Sequence, residues 1–168
     1  ESTNPEELVA AVKENDAQID ENVFQVINIM AQRAMEDGRQ DLAQGITMKQ
    51  SLIAESSTFG KEFMHQQEEK QKIAEEVAVV VQKFDEDVTR EDFLKLALLY
   101  VDKQEHLEAL VGLVRPAFDY EFFQILAGQV ENANGKEKKT LDSLRESLLE
   151  LTSAIDKQTQ AMMQNAAA

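Results

Sequence analysis

The chain has 168 residues, 43% of them apolar, and 32 Asp and Glu against 17 Lys and Arg, for a net charge of −15. It has no Cys, which excludes disulfides, thiol nucleophiles and Cys-ligated zinc or iron–sulfur centres within these residues. The acidic balance runs against nucleic acid and anionic lipid, both of which need clustered Lys and Arg, and no apolar run reaches the ~18 residues of a membrane span.

Six Gly and two Pro are too few for a β-rich chain, which needs a turn about every 8–12 residues. The composition therefore predicts an all-α fold of about eight helices. The first residue is Glu1 rather than Met, and no signal or transit pattern follows, so the chain reads as an excised piece or a processed form. The cytoplasm is the default compartment.

Asn4-Pro5-Glu6-Glu7 opens the first helix, with Asn4 as cap, Pro5 at the first helical position and acids at the positive end of the dipole. After the polar break Glu14-Asn15-Asp16, a second helix carries Ile19, Val23, Val26, Ile27, Met30 and Ala34 at spacings of three and four, and Gly38 ends it. A third runs from near Asp41 towards Ser56-Ser57-Thr58; Gly45 inside it suggests a close helix approach. The long fourth helix, about Phe59 to Phe84, has the stripe Ile73, Val77, Val80, Phe84. Thr89-Arg90-Glu91-Asp92 reads as a capping box. The fifth helix that follows, Arg90 to about Asp102, is apolar nearly all round and is the expected centre of the fold. A sixth helix spans about Gln104 to Val114, interrupted by Pro116, and Asp119 caps the seventh, which stops at Asn134-Gly135. The eighth places Leu141, Leu144, Leu148, Leu151, Ile155 and Met162 on a heptad stripe broken only by Gln158, and the tail Asn165-Ala166-Ala167-Ala168 should fray.

Two stretches read alike. Ile19-Asp20-Glu21-Asn22-Val23-Phe24-Gln25-Val26-Ile27 matches Phe118-Asp119-Tyr120-Glu121-Phe122-Phe123-Gln124-Ile125-Leu126, with Asp, Phe and Gln identical. Each precedes a Gly and a further helix, and each follows a short acid-capped helix, Glu6-Glu7-Leu8-Val9 or Glu91-Asp92-Phe93-Leu94. The pattern suggests an internal duplication of residues 4–57 and 89–155 within a single helical domain (1–168). Two similar helical-hairpin modules would pack as a bundle or short right-handed stack, linked by the long central helix. Two unrelated amphipathic hairpins would give the same periodicity.

The runs Thr89-Arg90-Glu91-Asp92-Phe93-Leu94, Glu108-Ala109-Leu110-Val111, Arg115 to Leu126 and Leu141 to Thr152 together resemble a helical region of bacterial CpXC proteins. There the region follows an N-terminal domain with Cys-Pro-X-Cys motifs, taken to bind zinc. The resemblance covers the second half well and the first half loosely. It implies a helical module detached from a metal-binding neighbour; with no Cys here, no metal role carries over.

Catalytic machinery is scarce. Glu62-x-x-His65 has the spacing of a di-iron half-site, but Lys103 stands three residues before His106, so the second half is missing. There is no nucleophile elbow and no phosphate-cradling glycine loop. Neither a catalytic residue nor a cofactor is assigned. The cluster Lys136-Glu137-Lys138-Lys139 is too small for nucleic acid. Met162 and Met163 continue the eighth helix's stripe beyond anything available to cover it, which suggests self-association along that helix or the fourth. Tyr120, Phe122, Leu151, Ile155 and Met162 are the candidate interaction residues, although aromatics at helical spacing are more commonly core. The leading expectation is a non-catalytic module that binds a protein partner or itself. The alternative is a small-molecule carrier or enzyme with a pocket between the halves, using Tyr100, Tyr120, Arg115 or His106 as polar handles.

Overall fold

The computed structural model describes residues 4–166, and among these it is all-helical: eight α-helices, two 3-10 turns and no strand. No described helix is long and apolar enough to cross a membrane. The chain divides into two compact units, Glu1–Glu69 and Lys70–Ala168, with the boundary inside the fourth helix.

Unit 1 contains α1 (Pro5–Glu14), a 3-10 turn (Asp16–Gln18), α2 (Glu21–Glu36), α3 (Gln40–Ser56) and the first half of α4 (Thr58–Val81). The caps lie where the short polar side chains predict. The Asn4 side chain accepts from the Glu6 N–H at 3.3 Å, and Asp20 accepts from the N–H groups of Asn22 and Val23 at 3.0 and 3.2 Å. Gly38 makes the turn into α3 at φ +71°, a conformation that a Cβ disfavours. Both α1 and α2 pack on α3. At the junction of α3 and α4, buried Ser57 accepts from the Gly60 N–H at 3.0 Å, and Asp16 accepts from the Thr58 N–H and hydroxyl at 2.8 and 2.6 Å. These bonds satisfy amides at the start of α4 that the helix itself leaves free. The close approach expected at Gly45 is absent, since a Cβ there would meet nothing within 4 Å. It occurs instead at Gly60, where a Cβ would lie 2.7 Å from the Ala54 carbonyl carbon.

Unit 2 holds the rest of α4, then α5 (Arg90–Leu99), α6 (Gln104–Leu113), a 3-10 turn (Arg115–Ala117), α7 (Tyr120–Asn132) and α8 (Gly135–Ala166). The capping box forms at α5, with the Thr89 hydroxyl oxygen accepting from the Asp92 N–H and the Asp92 carboxylate from the Thr89 N–H. Phe118, Phe122, Leu107, Leu110, Leu126, Leu144 and Leu148 are fully buried. Phe122 is flanked edge-on by Phe118 and Phe123, with ring centroids 4.8 and 5.5 Å away. The core is built on α8, on which α5, α6 and α7 all pack, with α5 also packed on α7. The fifth helix buries Leu94, Leu96 and Ala97 in it but turns Leu99 out to solvent, so it is not covered all round as its apolar sequence suggests. A ten-residue helix packed on α7 and α8 from one side has an outer face however apolar its sequence. Asn165 and Ala166 continue α8, while Ala167 and Ala168 of the predicted fraying tail lie outside the described residues.

As far as the cap of α2, the elements of unit 1 have counterparts in unit 2 at one displacement in residue number, Pro5–Glu14 falling on Gln104–Leu113, Asp16–Gln18 on Arg115–Ala117 and cap Asp20 on cap Asp119; the register is lost before α3 and α8. The packing recurs too, α1 and α2 on α3 matching α6 and α7 on α8, and the turns into α3 and α8 both use a positive-φ Gly. The counterpart of Glu6-Glu7-Leu8-Val9 is thus Glu105-His106-Leu107-Glu108, not the expected Glu91-Asp92-Phe93-Leu94. In this register Leu8, Val12, Asp20, Phe24 and Gln25 meet identical residues.

Candidate interaction surface

The five candidate residues separate in the structure. Tyr120, at the start of α7, is 76% exposed, and Met162, near the end of α8, is 62% exposed. Leu151 and Ile155 are half-buried against the core of unit 2. Phe122 is fully buried and belongs to the core, so its place in a surface set is corrected. On a helix, Phe122 points about 200° round from Tyr120, and only one of the two can face solvent.

The polar handles of unit 2 do not converge: Tyr100 meets His106, while Arg115 and Tyr120 bond other residues. Arg115 donates through Nε and Nη2 to both oxygens of Asp156 (2.9 and 2.7 Å) and through Nη1 to the Phe118 carbonyl (2.8 Å), tying the 3-10 turn to α8. Its guanidinium bonds hold the Asp156 carboxyl below its ordinary pKa. His106 is partly buried: its Nε2 lies 3.3 Å from Glu76 Oε2 and its ring 5.3 Å from Tyr100. Burial, aided by the Glu76 charge, raises the Tyr100 hydroxyl. Glu62 and His65 are exposed, and among the described residues no three His, Asp or Glu side chains are placed to hold a metal ion.

Arg90 makes the strongest ionic contact. Its Nε and Nη2 donate to the two carboxylate oxygens of Asp119 at 2.8 and 2.5 Å, and Nη1 lies 2.9 Å from Glu121. That fork, with the Phe122 N–H, holds the Asp119 carboxyl well below the usual carboxylate range. The pair sits in an open cleft of about 530 Å³, whose walls include Phe93 and Ile125.

Unit 1 has a different surface. Among its described apolar residues only Val12, Ala34 and Ala43 are buried, and no Phe, Leu, Ile or Met is. On α2, Val26, Ile29 and Met30 are each about half exposed (55, 51 and 54%), and their spacing of three and four puts them on one face. From Asn22 to Met35 the only charged residue is Arg33, in a chain that is 29% charged. Compared with family models, curated proteins and solved structures, the chain has no match. The apolar, charge-poor face of α2 therefore rests on its own chemistry. Sequence periodicity assigns Val26 and Met30 to a buried stripe; the signal that separates them from core is the near absence of charge on every side of the helix, where an ordinary surface helix keeps a charged face.

Proposed function

We propose that the chain is a duplicated, non-catalytic helical interaction module that offers the outer face of α2 to a protein partner. The observation that carries this reading is the group Val26, Ile29 and Met30, half exposed on a helix with one charge in 14 positions. Charge depletion and Met enrichment are the composition of an interface core rather than of a solvated surface. The engaged state of Arg115, His106 and Arg90 supports a structural role for the polar groups of unit 2. The likeness to the helical region of CpXC proteins supports an accessory role beside a metal-binding N-terminal domain lying outside these residues.

The test is site-specific photo-cross-linking in cells of the source organism, with a benzophenone side chain in place of Met30 and, as control, of Met163. Adducts to a polypeptide from position 30 and not from 163 are expected. Absence of adducts at 30 would overturn the reading, and a metabolite that raises the melting temperature would then favour a ligand-binding protein.

A further inference from the structure

The recurrence of one arrangement in both units allows the partner's chemistry to be read from unit 2. There α7 carries α5 on its flank. Arg90, in the first turn of α5, forks onto Asp119, the cap of α7, and Phe93 of α5 shares the adjoining cleft with Ile125 of α7. In unit 1 the equivalent cap, Asp20, does the same work for α2, yet among the described residues no Lys or Arg lies in ion-pair range of it. The position of Ile125 falls on Val26, and the next turn of the same face carries Met30, both half exposed. Within unit 1, α2 packs on α3, and Phe59 of α4 stands 5.7 Å from Phe24, with Gly60 and Phe63 lining the same cleft. Phe24 points about 200° round the helix from Val26, so that contact leaves the Val26 side open. Unit 1 thus has the seat that α5 fills in unit 2, cap carboxylate and apolar flank included, without a helix in it.

Resting on the interaction reading above, we infer that this seat takes an amphipathic helix of a partner protein with Arg or Lys in its first turn, the cation set against Asp20 as Arg90 is against Asp119. Residues 1–69 hold 14 Asp and Glu against five Lys and Arg, so a cationic helix end is attracted to this unit. A second copy of the chain brings the same excess of acids and is the less favoured occupant.

The probe is a side-chain-stapled peptide of residues 88–101 of this chain, which presents the α5 face and Arg90, titrated into the isotope-labelled full-length chain and followed by amide NMR shifts. Saturable shifts at Asp20, Val26 and Met30 are expected. Affinity should fall on the order of tenfold for the Arg90→Glu peptide or the Asp20→Asn protein, and binding should vanish for Val26→Glu/Met30→Glu, two exposed positions where circular dichroism should show an unchanged fold. Absence of saturable shifts in α2, shifts confined to unit 2, or indifference to Arg90→Glu would overturn the inference. A dimer in sedimentation that Val26→Glu dissolves would also overturn it, by giving the seat to a second copy. If the peptide fails while Met30 still cross-links to a polypeptide in cells, only the helix inference falls; if both fail, the interaction reading falls with it.

Discussion

Replacing Gly60 by Ala tests the packing of unit 1 at its tightest point. The added methyl would lie 2.7 Å from the carbonyl carbon of Ala54 and nearer still to its carbonyl oxygen and Cα. All three atoms are main chain in the last turns of α3, so no side-chain rotation relieves the contact. Two effects oppose each other. Ala is favoured over Gly in a helix by about 1 kcal/mol, whereas forcing backbone to move in a packed site costs about 1–3 kcal/mol and sometimes more. With main chain on the receiving side the upper part of that range applies, leaving a net loss of about 1–2 kcal/mol. For a body of this size each 1 kcal/mol moves the melting midpoint by about 4–8 °C, so a fall of about 5–15 °C is expected in circular-dichroism melts, with amide exchange in α3 and α4 assigning it to unit 1. Gly45→Ala is the internal control: nothing stands within 4 Å of its new methyl, and it should raise the midpoint by a few degrees. A Gly60→Ala protein as stable as the parent, or a destabilised Gly45→Ala protein, would refute the reasoning.

In urea titrations, Phe122→Ala should cost about 3–5 kcal/mol because it empties a fully buried site, whereas Tyr120→Ala, two residues away in solvent, should stay within about 0.5 kcal/mol of the parent. Equal effects would contradict the division of α7 into core and surface sides. The carboxyls of Asp16, Asp20, Asp92, Asp119 and Asp156 are all held below their ordinary 3.8, chiefly by bonds from Thr58, Asn22, Thr89, Arg90 and Arg115 respectively. Each therefore contributes stability that is fully present above pH 3.8 and is lost as pH falls from there through the folded-state value. Asp119→Asn should be less stable than the parent at pH 7 and should lose less on acidification below pH 4; parallel decline of the two proteins would count against the Arg90–Asp119 pair. Thr89→Ala removes one side of the capping box and should cost about 1 kcal/mol, read from faster amide exchange in the first turn of α5, and unchanged exchange there would show the cap to be idle.

Local chemistry made most of the fold readable. The caps at Asn4, Thr89 and Asp119 and the stops at Gly38 and Gly135 follow from side chains that bond their own backbone and from residues without a Cβ. Burial was less readable, because the period of a stripe says which residues share a face but not whether that face is covered. Phe93 to Val101 looks central by composition, yet Leu99 is 74% exposed; Val26 and Met30 look like core by spacing, yet nothing in unit 1 encloses them. Asp20 and Asp119 occupy matching positions in sequence, and only the fold brings Arg90, 29 residues from its partner in the chain, onto one and not the other. The same holds for Gly45, inside a helix, and Gly60, in the first turn of the next: only their placement in the fold tells which has a neighbour pressing on it.

The Asp16 carboxylate and Thr58 are 42 residues apart in sequence. Bringing such distant groups together carries an entropic penalty, which the packing of α1 and α2 on α3 offsets, so the clasp depends on that packing. The bond is a latch between the 3-10 turn of the unit that bears the open seat and the start of α4, the place where its chain would otherwise come apart from both ends.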